Sequence, residues 1–235
     1  MKIITISDIH GRGDWVHIDM AKYDRVIFLG DYVDSHTLSD GVILNNFQQI
    51  IKVKQQNADK VVLLIGNHDA QYMHYPNYSC SGFRRSMQVA LTELFTGNRS
   101  LFRVAYQQGN YLFTHAGVTN NWLNACKLRI DSSAILSVLN NASTLADGLN
   151  LVYDDFHYQP ILFDVAPARG GYDPFSGPVW ADRSETRTDY VKGYHQIVGH
   201  TPTLEFITVG DETSSITYTD ILGHKRAFYE VAIPD

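Results

Sequence analysis

The sequence predicts an α/β fold with a largely parallel sheet, and three observations lead to this prediction. Two apolar, β-branched runs of strand length stand at residues 25–29 and 61–65. Between them, the apolar residues from Ile43 to Ile51 follow helical spacing. The second run is apolar throughout, which is typical of a strand that is buried on both faces. Because a strand–helix–strand alternation joins parallel neighbours, residues 25–65 indicate βαβ connections.

The remaining elements follow from the same patterns. Ser39 and Asp40 are candidate N-cap residues of the first helix, and Thr119 is the candidate cap of a later one. The tail alternates apolar and polar residues, which predicts two antiparallel strands at 216–218 and 227–231 around a turn at Gly223. Further strands are predicted at residues 3–6, 111–114 and 196–198, and further helices at 87–95, 119–126 and 132–141.

The length of 235 residues suits one substantial core, and we expect a single domain over residues 1–235. Hydrophobic residues make up 44% of the chain and include 14 Tyr and 11 Phe, which are enough to furnish that core. Residues from about 71 to 85 are aromatic and irregular, and they predict a cap or loop insertion.

Charge and cysteine content bear on several classes of function. The net charge is −6, and Lys and Arg form no cluster, which argues against a nucleic-acid-binding surface. An anionic substrate held by metal ions stays compatible with that charge. Cys80 and Cys126 stand far apart, outside any CxxC spacing, as expected of free thiols in a reducing cytoplasm. The first residues carry too short an apolar run for a signal peptide, and no stretch approaches a membrane span. We therefore expect a soluble cytoplasmic protein.

Each of five predicted strands is followed at once by a side chain that can bind a metal. These side chains are Asp8 with His10, Asp31, Asn67, His115 and His200. Taken singly, an Asp or Asn in such a position also serves as a cap or turn residue, and a His also serves as a hydrogen-bonded core residue. Because five strands carry such side chains at the same place, the pattern predicts a metal site.

The expected ligand atoms are nitrogen and oxygen, without sulfur. Such a set suits Mn²⁺, Fe, Zn²⁺ or Co²⁺, and three histidines disfavour a pure Mg²⁺ or Ca²⁺ site. Six side chains exceed the ligands of one tetrahedral ion but suit two ions that share a carboxylate. Two ions about 3.5–4 Å apart clamp a phosphate group and turn water into hydroxide near neutral pH. We therefore expect two divalent metal ions, with Mn²⁺ favoured.

Five short motifs span the chain from residue 8 to residue 201. They are Asp8-Ile9-His10, Gly30-Asp31-Tyr32-Val33-Asp34, Gly66-Asn67-His68-Asp69, His115-Ala116-Gly117 and Gly199-His200-Thr201. In this order they resemble the motifs of the calcineurin-like metallophosphoesterases. The resemblance implies a two-sheet β-sandwich flanked by helices, in four αββα layers. It also implies the metal ligands, which are Asp8, His10 and Asp31 for the first ion and Asp31, Asn67, His115 and His200 for the second.

The resemblance further implies a catalytic pair. His68 would donate a proton to the leaving oxygen and Asp34 would orient its imidazole, while metal-bound hydroxide attacks phosphorus directly. Pro202 stands where many phosphodiesterases carry a further metal-binding histidine. The motifs around Asp31 and His200 are instead similar to those of the Ser/Thr phosphoprotein phosphatases and of symmetrical dinucleoside tetraphosphatases.

One departure from the phosphatase pattern is Ser35, directly after Asp34. In the phosphoprotein phosphatases an arginine normally stands there and holds the substrate phosphate. Serine offers one neutral hydrogen bond and cannot replace a guanidinium fork. The candidate phosphate contacts are therefore Arg183, Arg84 or Arg85, and Asn67.

The resemblance favours a hydrolase that acts on phosphate monoesters, either phosphoproteins or small phosphoesters. An alternative is the hydrolysis of a dinucleoside polyphosphate, in which aromatic residues between Tyr72 and Phe83 would stack on bases. The same residues also suit a hydrophobic lid. A non-catalytic scaffold is disfavoured, because such proteins usually lose metal ligands or the acid histidine, and this sequence retains them.

Overall fold

A computed structural model describes residues 1–233 of the chain and confirms the α/β class. Those residues contain seven α-helices and two five-stranded β-sheets. The helices are α1 (Asp40–Gln56), α2 (Asn67–Met73), α3 (Gln88–Gly97), α4 (Asn120–Leu128), α5 (Ser133–Leu139), α6 (Leu145–Asp154) and α7 (Arg183–Asp189). The strands are β1 (Lys2–Ile6), β2 (Arg25–Phe28), β3 (Val61–Leu64), β4 (Phe102–Arg103), β5 (Ala105–Gln108), β6 (Tyr111–Thr114), β7 (His195–Val198), β8 (Ile207–Gly210), β9 (Ser215–Tyr218) and β10 (Tyr229–Ala232).

The chain divides into two compact units. The first unit comprises Met1–Phe102 together with the chain from Ile221 onward, and the second comprises Arg103–Asp220. The single domain expected from the length stays a prediction.

The sheet of the first unit has the strand order β10-β1-β2-β3-β4. Strands β1, β2 and β3 are parallel, as the strand–helix–strand pattern predicts. Strand β3 is buried along its whole length, which explains its uninterrupted apolar sequence. Because the carboxyl ends of parallel strands meet at one edge, the turns after β1, β2 and β3 lie side by side.

The sheet of the second unit has the order β5-β6-β7-β9-β8. Strands β6, β7 and β9 are parallel at its centre, and the edge strands β5 and β8 run antiparallel to their neighbours. The turns after β6 and β7 therefore also share one edge of their sheet.

The predicted hairpin of the tail is wrong. Strand β9 pairs with β7 and β8 in the second unit, whereas β10 pairs antiparallel with β1 in the first. Alternation of apolar and polar residues indicates a strand but carries no information about its partner strand, and β9 is in fact buried along its whole length.

The predicted cap region begins inside α2 and continues as irregular chain through residues 74–84. Among residues 1–233, no helix combines the length and the apolar character that a membrane span needs.

Candidate metal centre

The turns after β1 and β2 are joined by backbone hydrogen bonds. The N–H groups of His10 and Gly11 donate to the carbonyl oxygens of Asp31 and Tyr32, at 2.8 and 2.9 Å. The His10 Nδ1 atom lies 3.0 Å from the carbonyl oxygen of Val33. Because a carbonyl only accepts, Nδ1 donates this hydrogen bond and the Nε2 atom faces the other way. The distance between His10 Nε2 and Asp31 Oδ2 is 3.8 Å.

Backbone strain is concentrated at the candidate residues. Among residues 1–233, six residues other than glycine have positive φ: Asp8, His10, Asp31, Asp34, Tyr78 and His200. Five of these six are candidate metal or catalytic residues. The left-handed conformation costs a non-glycine residue about 1–2 kcal/mol, and such outliers cluster at functional sites. The strain therefore independently points to the same turns as the motifs.

The first unit buries several carboxylates at one edge of its sheet. Asp8, Asp31 and Asp34 are each at most 3% exposed. One ligand atom from each of His10, Asp31 and His68 lies within 4.8 Å of the other two. A buried carboxylate needs a proton or a positive charge nearby, and imidazole and carboxylate together form a ligand set that divalent transition metals accept. The His10 imidazole and the Asp31 carboxylate therefore fit a divalent metal ion, with His68 beside them.

Asp69 is a buried carboxylate to which the sequence assigned no role. It accepts hydrogen bonds from the backbone N–H groups of Asp31, Tyr32 and Gly66, at 2.7, 2.9 and 2.8 Å. Burial, and after it the charge of Asp31, raises the pKa of the Asp69 carboxyl well above its usual range, although the three backbone donors act in the opposite direction. Asp69 thus ties the turn after β2 to the turn after β3. Its partners stand up to 38 residues away in the sequence, so local pattern carries no sign of this role.

Two glycines allow these turns to approach each other. A Cβ on Gly30, whose φ is +106°, would lie 2.4 Å from the backbone nitrogen of Gly66. A Cβ on Gly66 would lie 2.1 Å from Oδ1 of Asp31. The same Oδ1 atom accepts from the backbone N–H of His68 at 3.0 Å. The Asp31 carboxylate is therefore held in place by the backbone that follows β3.

His68 and Asp34 form a hydrogen-bonded pair, with 3.0 Å between Nδ1 and Oδ2. The Asp34 carboxylate also accepts from the Gln71 amide and the Tyr72 hydroxyl, both on α2. Burial lowers the pKa of His68, but the charge of Asp31 and the hydrogen bond to Asp34 raise it, with a net result of about 12. The arrangement therefore holds a protonated imidazole at neutral pH.

Ser35 and Arg84 both hold the loop that follows Asp34. The Ser35 hydroxyl oxygen accepts from the backbone N–H groups of Thr37 and Leu38, at 3.3 and 3.2 Å. The Arg84 guanidinium donates to the Asp40 carboxylate and to the carbonyl oxygens of Ser35 and Leu38. A phosphate contact by Arg84 would compete with these loop contacts.

The second unit brings His115 and His200 together. His115 follows β6 and His200 follows β7, which are parallel neighbours. The Nε2 atom of His115 lies 3.1 Å from the Nδ1 atom of His200, and both side chains are buried. Two imidazole nitrogens that converge in a buried place also fit a transition-metal ligand set.

Neutral side chains hold the turn that carries His115. The buried Gln196 side chain accepts from the N–H of Val118 at 2.8 Å and donates to its carbonyl oxygen at 2.9 Å. The Thr114 hydroxyl oxygen accepts from the N–H of Gly117 at 3.0 Å. Neither residue stands out in the sequence, since each lies within a strand and resembles an ordinary core polar residue.

Arg183 and Arg169 lie in the second unit. Arg183 begins α7, and its guanidinium carbon is 5.3 Å from the centroid of the Tyr218 ring. Arg169 donates to the Thr201 hydroxyl at 2.6 Å and forms an ion pair with Asp182 at 2.8 Å. Arg169 therefore links the residue after His200 to the cap of α7. It stands in a loop rich in Pro and Gly, where sequence pattern gives no sign of such a contact.

Comparison with known proteins agrees with this geometry. A family model described as calcineurin-like phosphoesterase matches residues 1–204. No curated protein matches the chain. A cold-active protein-tyrosine phosphatase of a psychrophile Shewanella species is similar in structure, with a TM-score of 0.51 and 16% identity over 92% of this chain and 70% of that one. A protein serine/threonine phosphatase from Saccharomyces cerevisiae has a TM-score of 0.49 and 16% identity over 94% and 67% of the two chains. At these identities the Shewanella likeness supports the fold alone.

Proposed function

Because the chain belongs to the calcineurin-like phosphoesterase family and is a metal-dependent phosphoesterase, we propose that it hydrolyses phosphate monoesters in the manner of the Ser/Thr protein phosphatases. The observation that carries this proposal is the pair of His68 and Asp34, with 3.0 Å between Nδ1 and Oδ2. A protonated histidine held by a carboxylate suits an ester whose leaving oxygen needs a proton. Its substrate would be a phosphoprotein or a small phosphoester.

We assign the metal ligands by their positions in the motifs. Asp8, His10 and Asp31 would hold one divalent ion, and Asp31, Asn67, His115 and His200 would hold the second. When bound, two such ions neutralise the charge of a phosphate group and lower the pKa of water enough to make it a nucleophile. Nitrogen and oxygen ligands without sulfur support Mn²⁺, with Fe, Zn²⁺ or Co²⁺ as alternatives. The free thiols of Cys80 and Cys126 support a reducing, cytoplasmic location.

The proton transfer follows from the hydrogen bond of His68. Asp34 accepts from Nδ1, and the positive charge of the imidazolium therefore leaves a second proton on Nε2. Gln71 and Tyr72 hold the Asp34 carboxylate by its two oxygens, so Asp34 in turn fixes the orientation of the ring. Proton donation from Nε2 to the leaving oxygen would then produce an alcohol or a phenol.

The candidate phosphate contacts are Arg183 and Asn67. Arg183 is half-buried, and its contact with the Tyr218 ring leaves its N–H groups available for an anion. Asn67 is the first residue of α2 and offers an amide donor. We propose Arg183 and Asn67 as phosphate contacts. The main role of Arg84 is to hold the loop after Asp34 through Asp40, Ser35 and Leu38.

The test is a substrate panel on the purified protein loaded with Mn²⁺. The panel contains an aryl phosphate, an alkyl phosphate, phosphoserine and phosphotyrosine peptides, a dinucleoside tetraphosphate and a phosphodiester. We expect monoesters to be hydrolysed fastest. Diester cleavage faster than monoester cleavage would contradict the proposal, and so would no turnover of any substrate with metals bound.

The His68→Ala variant tests the acid within the same panel, with the exposed His157→Ala as its matched control. General acid catalysis contributes about 10²–10⁴-fold, so His68→Ala should lose that much on the alkyl phosphate and much less on an aryl phosphate with a good leaving group. An equal rate for both variants on the alkyl phosphate would remove His68 from the mechanism.

Hydrolysis of a dinucleoside polyphosphate is the second candidate, and an aromatic stack favours it. The Phe83 ring stacks on Tyr72 at 5.1 Å and on Tyr75 at 5.9 Å between centroids. Tyr75 is 51% exposed, so the stack ends in a ring that a nucleobase can cover. Tyr75→Ala should then raise the KM for a dinucleoside tetraphosphate and leave the KM for an alkyl phosphate unchanged. An equal change in KM for both substrates would indicate that these aromatic residues form a hydrophobic lid and do not bind a base.

A further inference from the structure

The thiol of Cys80 lies beside the His68–Asp34 pair, outside the ligands that the motifs supply. One ligand atom from each of Asp34, His68 and Cys80 lies within 4.8 Å of the other two. The Cys80 sulfur also lies 3.8 Å from the carbonyl oxygen of Asn67. All these residues belong to the first unit. The cluster thus adds a sulfur donor to an imidazole and a carboxylate.

The fold holds Cys80 in this place through Gln71. The Gln71 side chain accepts from the backbone N–H of Cys80 at 3.1 Å, and its amide nitrogen donates to Asp34. One side chain therefore connects the loop of Cys80 to the carboxylate of the pair. The backbone of Gly82 closes the same side, since a Cβ there would lie 3.5 Å from the Asp34 Cβ and 3.7 Å from the His68 Cε1.

We propose that Asp34, His68 and Cys80 form a third metal site, which binds Zn²⁺ and inhibits the enzyme. Sulfur, nitrogen and oxygen donors from three side chains are a ligand set of zinc, and the fourth position of a tetrahedral ion stays open to water. The thiolate distinguishes this site from the nitrogen and oxygen ligands of the motifs, because soft sulfur selects Zn²⁺ over Mn²⁺. The zinc-binding part stands by itself, and the inhibitory part rests on the proposed function.

Zinc and the catalytic proton compete for the same imidazole. Binding of Zn²⁺ releases one proton from the Cys80 thiol and one from the His68 imidazolium, and both protons go to solvent. The neutral His68 ring that ligates zinc keeps one N–H, which is a far weaker acid than the imidazolium, so it protonates a leaving group poorly. The ion also takes up the Asp34 carboxylate, which otherwise orients the ring. Zinc at this place therefore weakens the acid without taking up the ligands of the motifs.

Cobalt tests the site with a readout that does not depend on activity. Co²⁺ takes the place of Zn²⁺ at such ligands, and a thiolate bound to Co²⁺ gives a near-ultraviolet charge-transfer absorption. The protein is first loaded with Mn²⁺ and then titrated with Co²⁺, in wild type, Cys80→Ser and Cys126→Ser. Cys126 is buried in α4 of the second unit, outside the cluster, and is the matched control.

We expect wild type and Cys126→Ser to develop the absorption with one equivalent of Co²⁺ and to lose it when Zn²⁺ is added. Cys80→Ser should not develop it, and its affinity for this additional ion should fall by about tenfold or more. Absence of the absorption in wild type, or its persistence in Cys80→Ser, would overturn the proposal. If wild type shows no absorption, Cys80 only packs against His68 and does not bind metal.

Turnover in excess Zn²⁺ tests inhibition separately, on the substrate that the panel identifies. The zinc concentration that halves the rate should be at least about tenfold higher for Cys80→Ser than for Cys126→Ser. Zinc that displaces Mn²⁺ from the motif ligands would affect both variants equally, and that outcome overturns inhibition through the third site. Protein that shows the cobalt absorption but hydrolyses no substrate would keep the zinc site and sink the proposed function instead.

Discussion

The two units hold their candidate turns with different chemistry. In the first unit the buried Asp69 carboxylate accepts three backbone N–H groups. In the second unit the buried Gln196 amide exchanges two hydrogen bonds with the backbone of Val118. A carboxylate makes stronger, charge-assisted hydrogen bonds but adds a negative charge, whereas an amide satisfies a donor and an acceptor without charge.

The carboxylates of the first unit give it a greater need for a bound cation than the second unit has. The first unit places Asp69 beside Asp31, and each carboxylate raises the cost of the other's charge. The second unit contributes His115 and His200, whose imidazoles would be neutral as metal ligands. Positive φ follows the same division, with Asp8, Asp31 and other strained residues in the first unit and His200 in the second. The candidate turns of the first unit therefore contain more strained residues and more buried charged groups than those of the second unit.

Removal of Asp69 should have the largest effect on stability. Asp69→Ala leaves three buried N–H groups without their acceptor, and each such group costs about 1–3 kcal/mol. We expect a loss of about 3 kcal/mol or more in the free energy of unfolding. Urea unfolding of the metal-free protein measures it, with the exposed Asp59→Ala as control in the same unit. Equal stability of the two variants would mean that water or neighbouring groups replace the carboxylate.

Removal of the Gln196 amide should lower the free energy of unfolding by less than removal of the Asp69 carboxylate. Gln196→Leu fills similar volume but leaves the N–H of Val118 without its acceptor, whereas the Val118 carbonyl oxygen still accepts from the N–H of Val191 at 3.0 Å. The expected loss is about 2 kcal/mol in the free energy of unfolding in the same urea experiment, since one neutral buried donor is left unsatisfied. A loss as large as that of Asp69→Ala would contradict the distinction between charged and neutral supports.

The dependence of activity on pH tests the pair of His68 and Asp34 in the first unit. The charge of Asp31 and the hydrogen bond to Asp34 raise the pKa of His68 against the effect of burial, so the acid stays protonated above neutral pH. A bound ion would offset the charge of Asp31, which leaves the hydrogen bonds to Asp34 and Cys80 to raise the pKa of His68. Asp34→Asn removes the first of these, so the pKa of His68 should fall and activity should be lost at lower pH than in wild type.

The measurement for Asp34→Asn is kcat against pH on an alkyl phosphate. An aryl phosphate with a good leaving group serves as control, since its hydrolysis needs less help from an acid. The alkaline limb should shift downward for the alkyl phosphate alone. An unshifted limb would show that another group sets it.

Arg183 should give the smallest effect. If it contacts the phosphate, Arg183→Gln should raise KM by about tenfold, equivalent to about 1.4 kcal/mol. Arg187→Gln is the matched control, since Arg187 is exposed on the same helix. Equal KM values for both variants would remove Arg183 from the phosphate site.

Features with a local sequence pattern, such as apolar strands and the polar residues directly after them, could be predicted from the sequence. Strands β2, β3 and β6 are apolar runs, and the candidate ligands directly follow strands, so both could be recognised without knowledge of the fold. Edge strands β5 and β8 are half-exposed and lack such runs. Helix α7 has little apolar surface, because its sequence is Arg-Ser-Glu-Thr-Arg-Thr-Asp. These elements depend on their neighbours and could not be predicted from pattern.

The supports of the site could not be predicted for a related reason. Asp69 stands within a recognised motif, but its hydrogen bonds reach residues in another turn. Cys80 stands in an irregular loop and is brought to His68 by the amide of Gln71. The guanidinium of Arg84 contacts Asp40 and two carbonyl oxygens. Such long-range polar contacts leave no periodic trace in a sequence.

The positive φ values of Asp8, His10, Asp31 and Asp34 determine which substitutions are informative. Alanine at these positions removes the side chain and must also adopt a backbone conformation that it disfavours, so its phenotype mixes lost chemistry with added strain. Asparagine tolerates that conformation best among residues with a side chain, and glycine tolerates it without cost. A mutational scan should therefore show asparagine and glycine as the best-folded replacements at the aspartates, even where both abolish activity. Comparison of soluble yield with activity across such a scan would separate residues kept for folding from residues kept for chemistry.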